Sequence, residues 1–178
     1  MTAYTVGHST HSLDELVALL VQHGVERLVD VRMIPASRRV PHFSRDRLTE
    51  ELPSRGLDYV HMKELGGRRR PLRDSPNGGW KNAGFRGYAD YMQTEGFGRA
   101  LTALERLAEE RPTAVMCAEA LWWRCHRRLV ADALIARGHR VLHIGSDASL
   151  EDHRLTPFAE LREGQTLLYP PEQPSLLS

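Results

Sequence analysis

The residues best suited to chemistry lie in one short stretch, residues 113–128, which holds both cysteines of the 178-residue chain. An apolar run predicts a buried strand that ends at Cys117, and a helix is predicted to open at Arg124, just before Cys125. A strand-to-helix crossing in an α/β protein presents backbone N–H groups and the positive end of a helix to a ligand. A thiol there, beside arginine and histidine, should have a lowered pKa and act as a nucleophile. The structural alternative is that both cysteines pack as small apolar residues.

Polar side chains also follow the other predicted strands, which cover residues 3–6, 27–31, 57–61 and 140–144. Because the carboxyl ends of parallel strands meet at one edge of a sheet, we expect these side chains to share a site. The predicted binding residues are His8, Ser9, Asp30, Arg32, His61, Arg68, Arg86, Arg124, Cys125 and Arg127. Two roles stay open for Asp30, which either fixes Arg32 through a salt bridge or contacts the substrate.

The predicted catalytic residues are Cys117 as nucleophile and Glu119 or His126 as the proton carrier. Glu119 is also the main argument against this assignment, because a nearby carboxylate raises the pKa of a thiol. We predict that His8, Arg32, His61, Cys117, Glu119 and Cys125 face one cavity. We also predict that an anion binds near the start of the helix at 124–137, and that Cys117 alkylates before Cys125.

The elements that position these residues alternate between short apolar strands and amphipathic helices. The pattern predicts an α/β fold, a three-layer sandwich with a mainly parallel sheet of about five strands and helices on both faces. Residues 1–169 are expected to form one domain and residues 170–178 a Pro- and Ser-rich tail. Ser12 and Glu15 predict a capping box, and residues 64–87 form an irregular segment that we interpret as an ordered lid.

Composition limits the class of protein. The formal net charge is +1, which argues against a protein that coats DNA, and arginine supplies all of the 24 basic residues except Lys63 and Lys81. No apolar run is long enough to span a bilayer, and neither a signal peptide nor a disulfide framework is visible. We therefore expect a cytoplasmic protein with reduced thiols. The sequence does not predict an oligomeric state.

Metal binding is the main rival chemistry, because cysteine and histidine are zinc ligands. The sequence nevertheless contains no Cys-x-x-Cys spacing. Cys125 and His126 would also point about 100° apart on a helix. We therefore predict no metal and no cofactor, and we keep a zinc-dependent site as a third alternative.

Seven stretches together resemble a bacterial and archaeal family known as domain of unknown function family 488. They are TVGHSTHSLDEL at 5–16, VDVR at 29–32, YVHMKELGG at 59–67, FRGYADYM at 85–92, MCAE at 116–119, CHR at 125–127 and LTPFA at 155–159. The resemblance covers nearly the whole chain, but the family name implies no activity or substrate.

A fainter likeness to rhodanese domains rests on Asp30, Arg32 and Cys117. It implies only an analogy of fold, because six mostly bulky residues separate Cys117 from Arg124 where those domains have a compact anion cradle.

Two function hypotheses from different classes follow. The first is a cysteine-dependent enzyme that acts on a small anionic or nucleotide-like substrate. The second is a non-catalytic module that binds a nucleotide or, less favoured, a nucleic acid, with Trp80, Phe85 and Tyr88 stacking on bases. Neither hypothesis involves a membrane.

Overall fold

A six-stranded sheet forms the centre of the computed structural model, which describes residues 1–172. Its strands are β1 (Thr2–Gly7), β2 (Arg27–Asp30), β3 (Asp58–His61), β4 (Thr113–Cys117), β5 (Arg140–Ile144) and β6 (Leu150–Asp152). Across the sheet their order is β3-β2-β4-β1-β5-β6, and all neighbours are parallel except β5 and β6. The five predicted strands are all present. Strand β6 was not predicted. Its three residues are exposed, so its sequence lacks the apolar pattern of a buried strand.

Helices cover both faces of this sheet, as the sequence predicts. They are α1 (Leu13–Gln22), α2 (Arg45–Glu51), α3 (Ala83–Tyr91), α4 (Glu95–Glu110) and α5 (Arg127–Ala136). Side chains alternate along the central strand β4, so Ala114 and Met116 join the core under α1 and α2, whereas Val115 joins the core under α3, α4 and α5. The fold is therefore a three-layer α/β sandwich. A two-stranded sheet, β7 (Glu160–Leu161) and β8 (Leu167–Leu168), follows it.

The helices begin where polar side chains cap them. Ser12 and Glu15 form the predicted capping box at the start of α1, and Thr94 caps α4. Helix α3 begins earlier than predicted, because Asn82 accepts a hydrogen bond from the Phe85 amide and starts the helix inside the segment interpreted as irregular. No helix within residues 1–172 has the length and apolar character needed to cross a bilayer.

The segment from residue 64 to residue 82 is ordered by the buried carboxylate of Asp90. Asp90 accepts hydrogen bonds from the Leu72 amide at 2.8 Å, the Ser75 hydroxyl at 2.6 Å and the Asn77 side chain at 2.8 Å. Asn77 in turn accepts a hydrogen bond from the Tyr169 amide at 2.9 Å. These contacts join the segment to α3 and to residues after β8. Of the predicted tail 170–178, residues 173–178 lie outside the described residues.

A second buried polar network joins β1, β5 and α5. His143 contacts Thr5 at 2.6 Å and His153 at 2.9 Å, and His153 donates to Asp132 at 2.8 Å. Asp132 also accepts a hydrogen bond from the Tyr169 hydroxyl at 2.9 Å. Burial lowers the pKa of His143 to about 3, and the nearby His153 and Arg127 act in the same direction. His143 is therefore a neutral structural group at pH 7.

Removing the carboxylate of Asp90 should loosen the segment that it orders. We expect Asp90→Ala to lower the free energy of unfolding by about 3 kcal/mol, because three donors lose a charged acceptor. Trypsin should then cleave faster at the exposed Arg68 and Arg73. Urea denaturation and timed proteolysis measure both effects. The control Asp74→Ala removes an exposed carboxylate from the same segment and should change stability by less than about 0.5 kcal/mol.

The low pKa of His143 predicts how stability depends on pH. The unfolded histidine titrates near 6.5 and the folded one at about 3, so the unfolded state binds more protons between these values. The stabilisation is therefore complete above about pH 6.5 and is lost as the pH falls towards 3. His143→Gln should reduce the slope of unfolding free energy against pH by up to about 1.4 kcal/mol for each pH unit in this window. Parallel wild-type and variant curves below pH 6 would contradict this prediction.

Candidate functional site

A cavity of about 340 Å³ opens at the carboxyl edge of the sheet, beside the ends of the neighbouring strands β1 and β4. We call it the site cavity. The chain leaves β1 towards β2 and leaves β4 towards β5, in opposite directions across the sheet, so this edge is a topological switch point. Its polar lining comes from His8, Arg32, Ser37, Arg68, Cys117 and His126. Sequence reasoning named all of these except Ser37, which belongs to the mostly apolar wall at residues 33–40 that it missed.

Two cysteines and one histidine converge at this cavity. The sulphurs of Cys117 and Cys125 and a ring nitrogen of His126 all lie within 4.8 Å of one another. Cys125 Sγ lies 3.6 Å from His126 Nδ1, while His126 Nε2 donates to the Val31 carbonyl at 3.2 Å. That bond leaves the Nδ1 lone pair directed at the thiols. Cys117 and His126 line the cavity, and Cys125 is 5 % exposed.

The backbone between β4 and α5 makes this convergence possible, and it differs from the prediction. The sequence predicts a helix from Arg124, with Cys125 and His126 pointing apart. In the structure a single 3₁₀ turn covers residues 122–124, Cys125 is extended with φ −124° and ψ 150°, and α5 begins only at Arg127. The extended residue brings the Cys125 thiol against Cys117 and places His126 beside both. The prediction that the Cys125 and His126 side chains point too far apart to share a site was therefore wrong.

The two thiols interact, and their pKa values are shifted in opposite directions. The pKa of Cys125 is lowered by the hydrogen bond from Cys117, and His126 and Arg127 act in the same direction against the effect of burial. The pKa of Cys117 is raised by this same bond to Cys125 and by burial. The predicted direction for Cys117 is therefore reversed. The more acidic thiol is therefore the buried Cys125, not the thiol that lines the cavity.

The Arg127 guanidinium provides a buried positive charge beside these thiols. It is 1 % exposed and donates to the backbone carbonyls of Glu119 and Ala120. Within residues 1–172 no carboxylate lies within salt-bridge distance of it, and its Nε atom lacks a hydrogen-bond partner. Arg127 therefore holds the loop after β4 through the backbone carbonyls of that loop. It does not line the site cavity as a binding residue.

The ends of β1 and β2 are joined by a second buried group. The fully buried Asp30 pairs with Arg32 at 2.8 Å and 2.6 Å and accepts the Tyr59 hydroxyl at 2.7 Å. Arg32 Nη1 donates to His8 Nε2 at 3.2 Å, and His8 Nδ1 donates to the Ser9 carbonyl at 3.0 Å. Burial lowers the pKa of His8 to about 4, and Arg32 contributes in the same direction. Asp30 thus fixes Arg32, and His8 is neutral with its Nε2 lone pair occupied.

Several predicted site residues lie elsewhere. His61 donates to the Arg32 carbonyl at 2.8 Å, so it supports the site from outside the cavity. The Glu119 carboxylate accepts from the Leu121 amide at 3.2 Å and does not line the cavity, because the loop after β4 turns it away. Arg124 is exposed, and Arg86 donates to the Trp80 carbonyl at 3.1 Å. Of the six residues expected to face one cavity, His8, Arg32 and Cys117 line it, Cys125 contacts Cys117, and His61 and Glu119 are outside.

Gly67 is a site residue that the sequence reasoning missed. A Cβ atom at this position would lie 2.8 Å from His126 Nδ1, so only glycine leaves the imidazole nitrogen uncrowded. The adjacent pair Gly66-Gly67 is the signal that could have identified it, because glycine permits a close approach between two chain segments. Gly67 and Arg68 bring the ordered segment after β3 to the rim of the cavity.

Comparison with known proteins identifies a family without adding a function. A family model described as Domain of unknown function DUF488 matches residues 12–134, which include β2 to β4, the thiols, His126 and most of α5. No curated protein and no solved structure matches the chain. The match covers well over half of the sequence and contains the cysteine–histidine cluster. The chain belongs to the family of proteins with the domain of unknown function DUF488.

Proposed function

We propose that the protein is a cysteine-dependent enzyme that acts on a small anionic substrate held in the site cavity. The convergence of Cys117, Cys125 and His126 at the cavity is the observation that carries this proposal. Two soft sulphur atoms and an imidazole nitrogen with a free lone pair are reactive groups. Their position at the switch point of a parallel sheet is where α/β proteins bind ligands.

The size and charge of the cavity support a small anion. Its volume of about 340 Å³ is at the lower end of the range for ligand pockets, which is roughly 300–1,000 Å³. No aspartate or glutamate is among its lining residues in the described chain. Arg68 is exposed at the rim, whereas the charge of Arg32 is balanced by Asp30. Arg68 is therefore the cation best placed to pair with a substrate phosphate, sulfate or carboxylate.

The two thiols act as a unit in this proposal. Cys117 reaches the substrate side, and Cys125 contacts both Cys117 and His126 from the buried side. Glu119 is not the proton carrier, because its carboxylate is bound to the loop backbone. His126 is the remaining candidate, and its Nε2 anchor on the Val31 carbonyl keeps Nδ1 available for that role.

The geometry favours this proposal over a non-catalytic binding module. That alternative needs aromatic rings that stack on bases, but Trp80 and Tyr88 are buried. Trp80 packs edge-on against Phe85 with ring centroids 5.0 Å apart. None of these three rings lines the site cavity. They stabilise the core on the α3 side of the sheet.

Turnover of a substrate panel tests the proposal. The panel contains chromogenic phosphate, sulfate and carboxylate esters together with nucleoside mono- and diphosphates. We expect turnover of at least one member, and a loss of about 100-fold or more in Cys117→Ser and in Cys125→Ser. Arg68→Ala should raise KM about tenfold with little change in kcat, because it removes binding that substrate and transition state share.

Arg124→Ala is the matched control for Arg68→Ala, since it removes an exposed arginine outside the cavity and should leave KM unchanged. Circular dichroism confirms that each variant is folded. Full turnover in both serine variants would refute a cysteine-dependent enzyme. Binding of these anions by the wild-type protein without conversion of any would favour the binding module instead.

A further inference from the structure

We propose that Cys117, Cys125 and His126 bind one zinc ion through both sulphurs and His126 Nδ1, with the fourth coordination position open to the site cavity. This inference rests on the proposed function and gives the two thiols their role in it, as metal ligands. It replaces the proton-carrier role of His126, because a ring nitrogen bound to zinc cannot also accept a proton. It reverses our sequence-based prediction that the site holds no metal. Its basis is the geometry of the three side chains.

The separations between the ligand atoms fit a tetrahedral zinc site. Zinc lies about 2.3 Å from a cysteine sulphur and about 2.0–2.1 Å from a histidine nitrogen. At a tetrahedral angle these lengths place sulphur and nitrogen about 3.6 Å apart, and two sulphurs about 3.8 Å apart. Cys125 Sγ and His126 Nδ1 are 3.6 Å apart, and all three ligand atoms lie within 4.8 Å of one another. A single ion can contact all three once the wider separations close by up to about 1 Å.

The imidazole is already oriented as a ligand. Histidines that bind metals generally donate their second N–H to a carboxylate or a backbone carbonyl, which fixes the tautomer. His126 Nε2 donates to the Val31 carbonyl at 3.2 Å, so Nδ1 presents its lone pair to the sulphurs. Val31 directly follows β2, and its amide bonds to the Met116 carbonyl of β4 at 3.0 Å. The ligand is thus anchored to the centre of the sheet.

Charge at the site also favours a cation held by two thiolates. Two neighbouring thiolates repel each other, and a dication between them removes that repulsion. When zinc binds, each thiol gives its proton to solvent and the Zn²⁺–(S⁻)₂ unit is neutral. Soft thiolates with one imidazole favour zinc over the harder magnesium and calcium ions.

The number of ligands distinguishes this site from a structural zinc site. Structural zinc sites have four protein ligands, whereas catalytic sites have three and keep one position for water or substrate. Within residues 1–172 only these three side chains form the cluster. Cys117 and His126 line the site cavity, so the open fourth coordination position would face the cavity, where the substrate would bind. A zinc ion there would polarise a bound anion or activate a water molecule.

Metal analysis and cobalt substitution test the proposal. Protein purified without chelator should contain one zinc ion per chain, as measured by inductively coupled plasma mass spectrometry. Chelator-treated protein reloaded with Co²⁺ should show the absorption of thiolate-to-cobalt charge transfer. Cys117→Ser, Cys125→Ser and His126→Gln should each lose most of the zinc and weaken or shift this absorption. His23→Gln is the matched control, because His23 also donates to a backbone carbonyl but lies outside the cluster.

A substitution that removes no ligand gives an independent test. Gly67→Ala would place a Cβ atom 2.8 Å from His126 Nδ1, so it should weaken zinc binding about tenfold or more in competition with a chromophoric chelator. Gly98→Ala is its control, because a Cβ atom there meets nothing within 4 Å. Circular dichroism confirms that both variants fold. Equal zinc affinity in wild type and Gly67→Ala would contradict the assignment of Nδ1 as the ligand.

The outcomes separate this inference from the proposed function. If wild-type protein binds neither Zn²⁺ nor Co²⁺, the zinc site is refuted. If metal-free protein keeps full turnover while the serine variants are inactive, the role of zinc in the reaction is refuted but the cysteine-dependent enzyme stands. If the cobalt spectrum appears and depends on all three ligands while the panel shows no turnover, the zinc site stands and the enzymatic proposal loses its support.

Discussion

The candidate site depends on the buried guanidinium of Arg127. At the start of α5 it donates to the Glu119 and Ala120 carbonyls and so holds the loop after β4 folded back over the helix. These two hydrogen bonds hold the loop in the conformation that places Cys125 against Cys117. Gly7 at the end of β1 provides the space, because a Cβ atom there would collide with the Glu119 carbonyl. One cation therefore shapes the loop and stabilises negative charge on the sulphurs that the loop brings together.

A second buried charge, on Asp30, organises the opposite wall of the cavity. Burying a carboxylate is costly unless it is paired and its oxygens are hydrogen-bonded. Arg32 and the Tyr59 hydroxyl meet that requirement, and Arg32 extends the network to His8 and to the Phe43 carbonyl. The pair is thus a fixed part of the wall, and its charge is largely balanced. This is why the net positive character of the cavity comes from Arg68.

The arrangement of the thiols argues against a simple nucleophilic cysteine. A nucleophile needs both access and a nearby base, but here these properties are divided between two residues. Cys117 has access, while Cys125 has the close contact with His126. A metal ion bound to both sulphurs resolves this division, because its open coordination position can face the substrate although one ligand is buried. The zinc hypothesis therefore explains more of the geometry than the single-nucleophile hypothesis does.

The sequence by itself determined the fold class, the five parallel strands and most of the strand-end residues that line the cavity. Those features depend on local patterns: apolar runs for β1 to β5, the capping box at Ser12, and the rule that parallel strands end at one edge. The tertiary structure alone decided that Cys125 is extended, that Glu119 points away from the cavity, and that Arg127 lies beneath the loop. Three arginines in residues 124–128 favour a helix, and no glycine or proline marks the break before α5. Only the packing of the loop against Gly7 and Arg127, which are distant from each other in sequence, outweighs that propensity and brings the two sulphurs and the His126 nitrogen together.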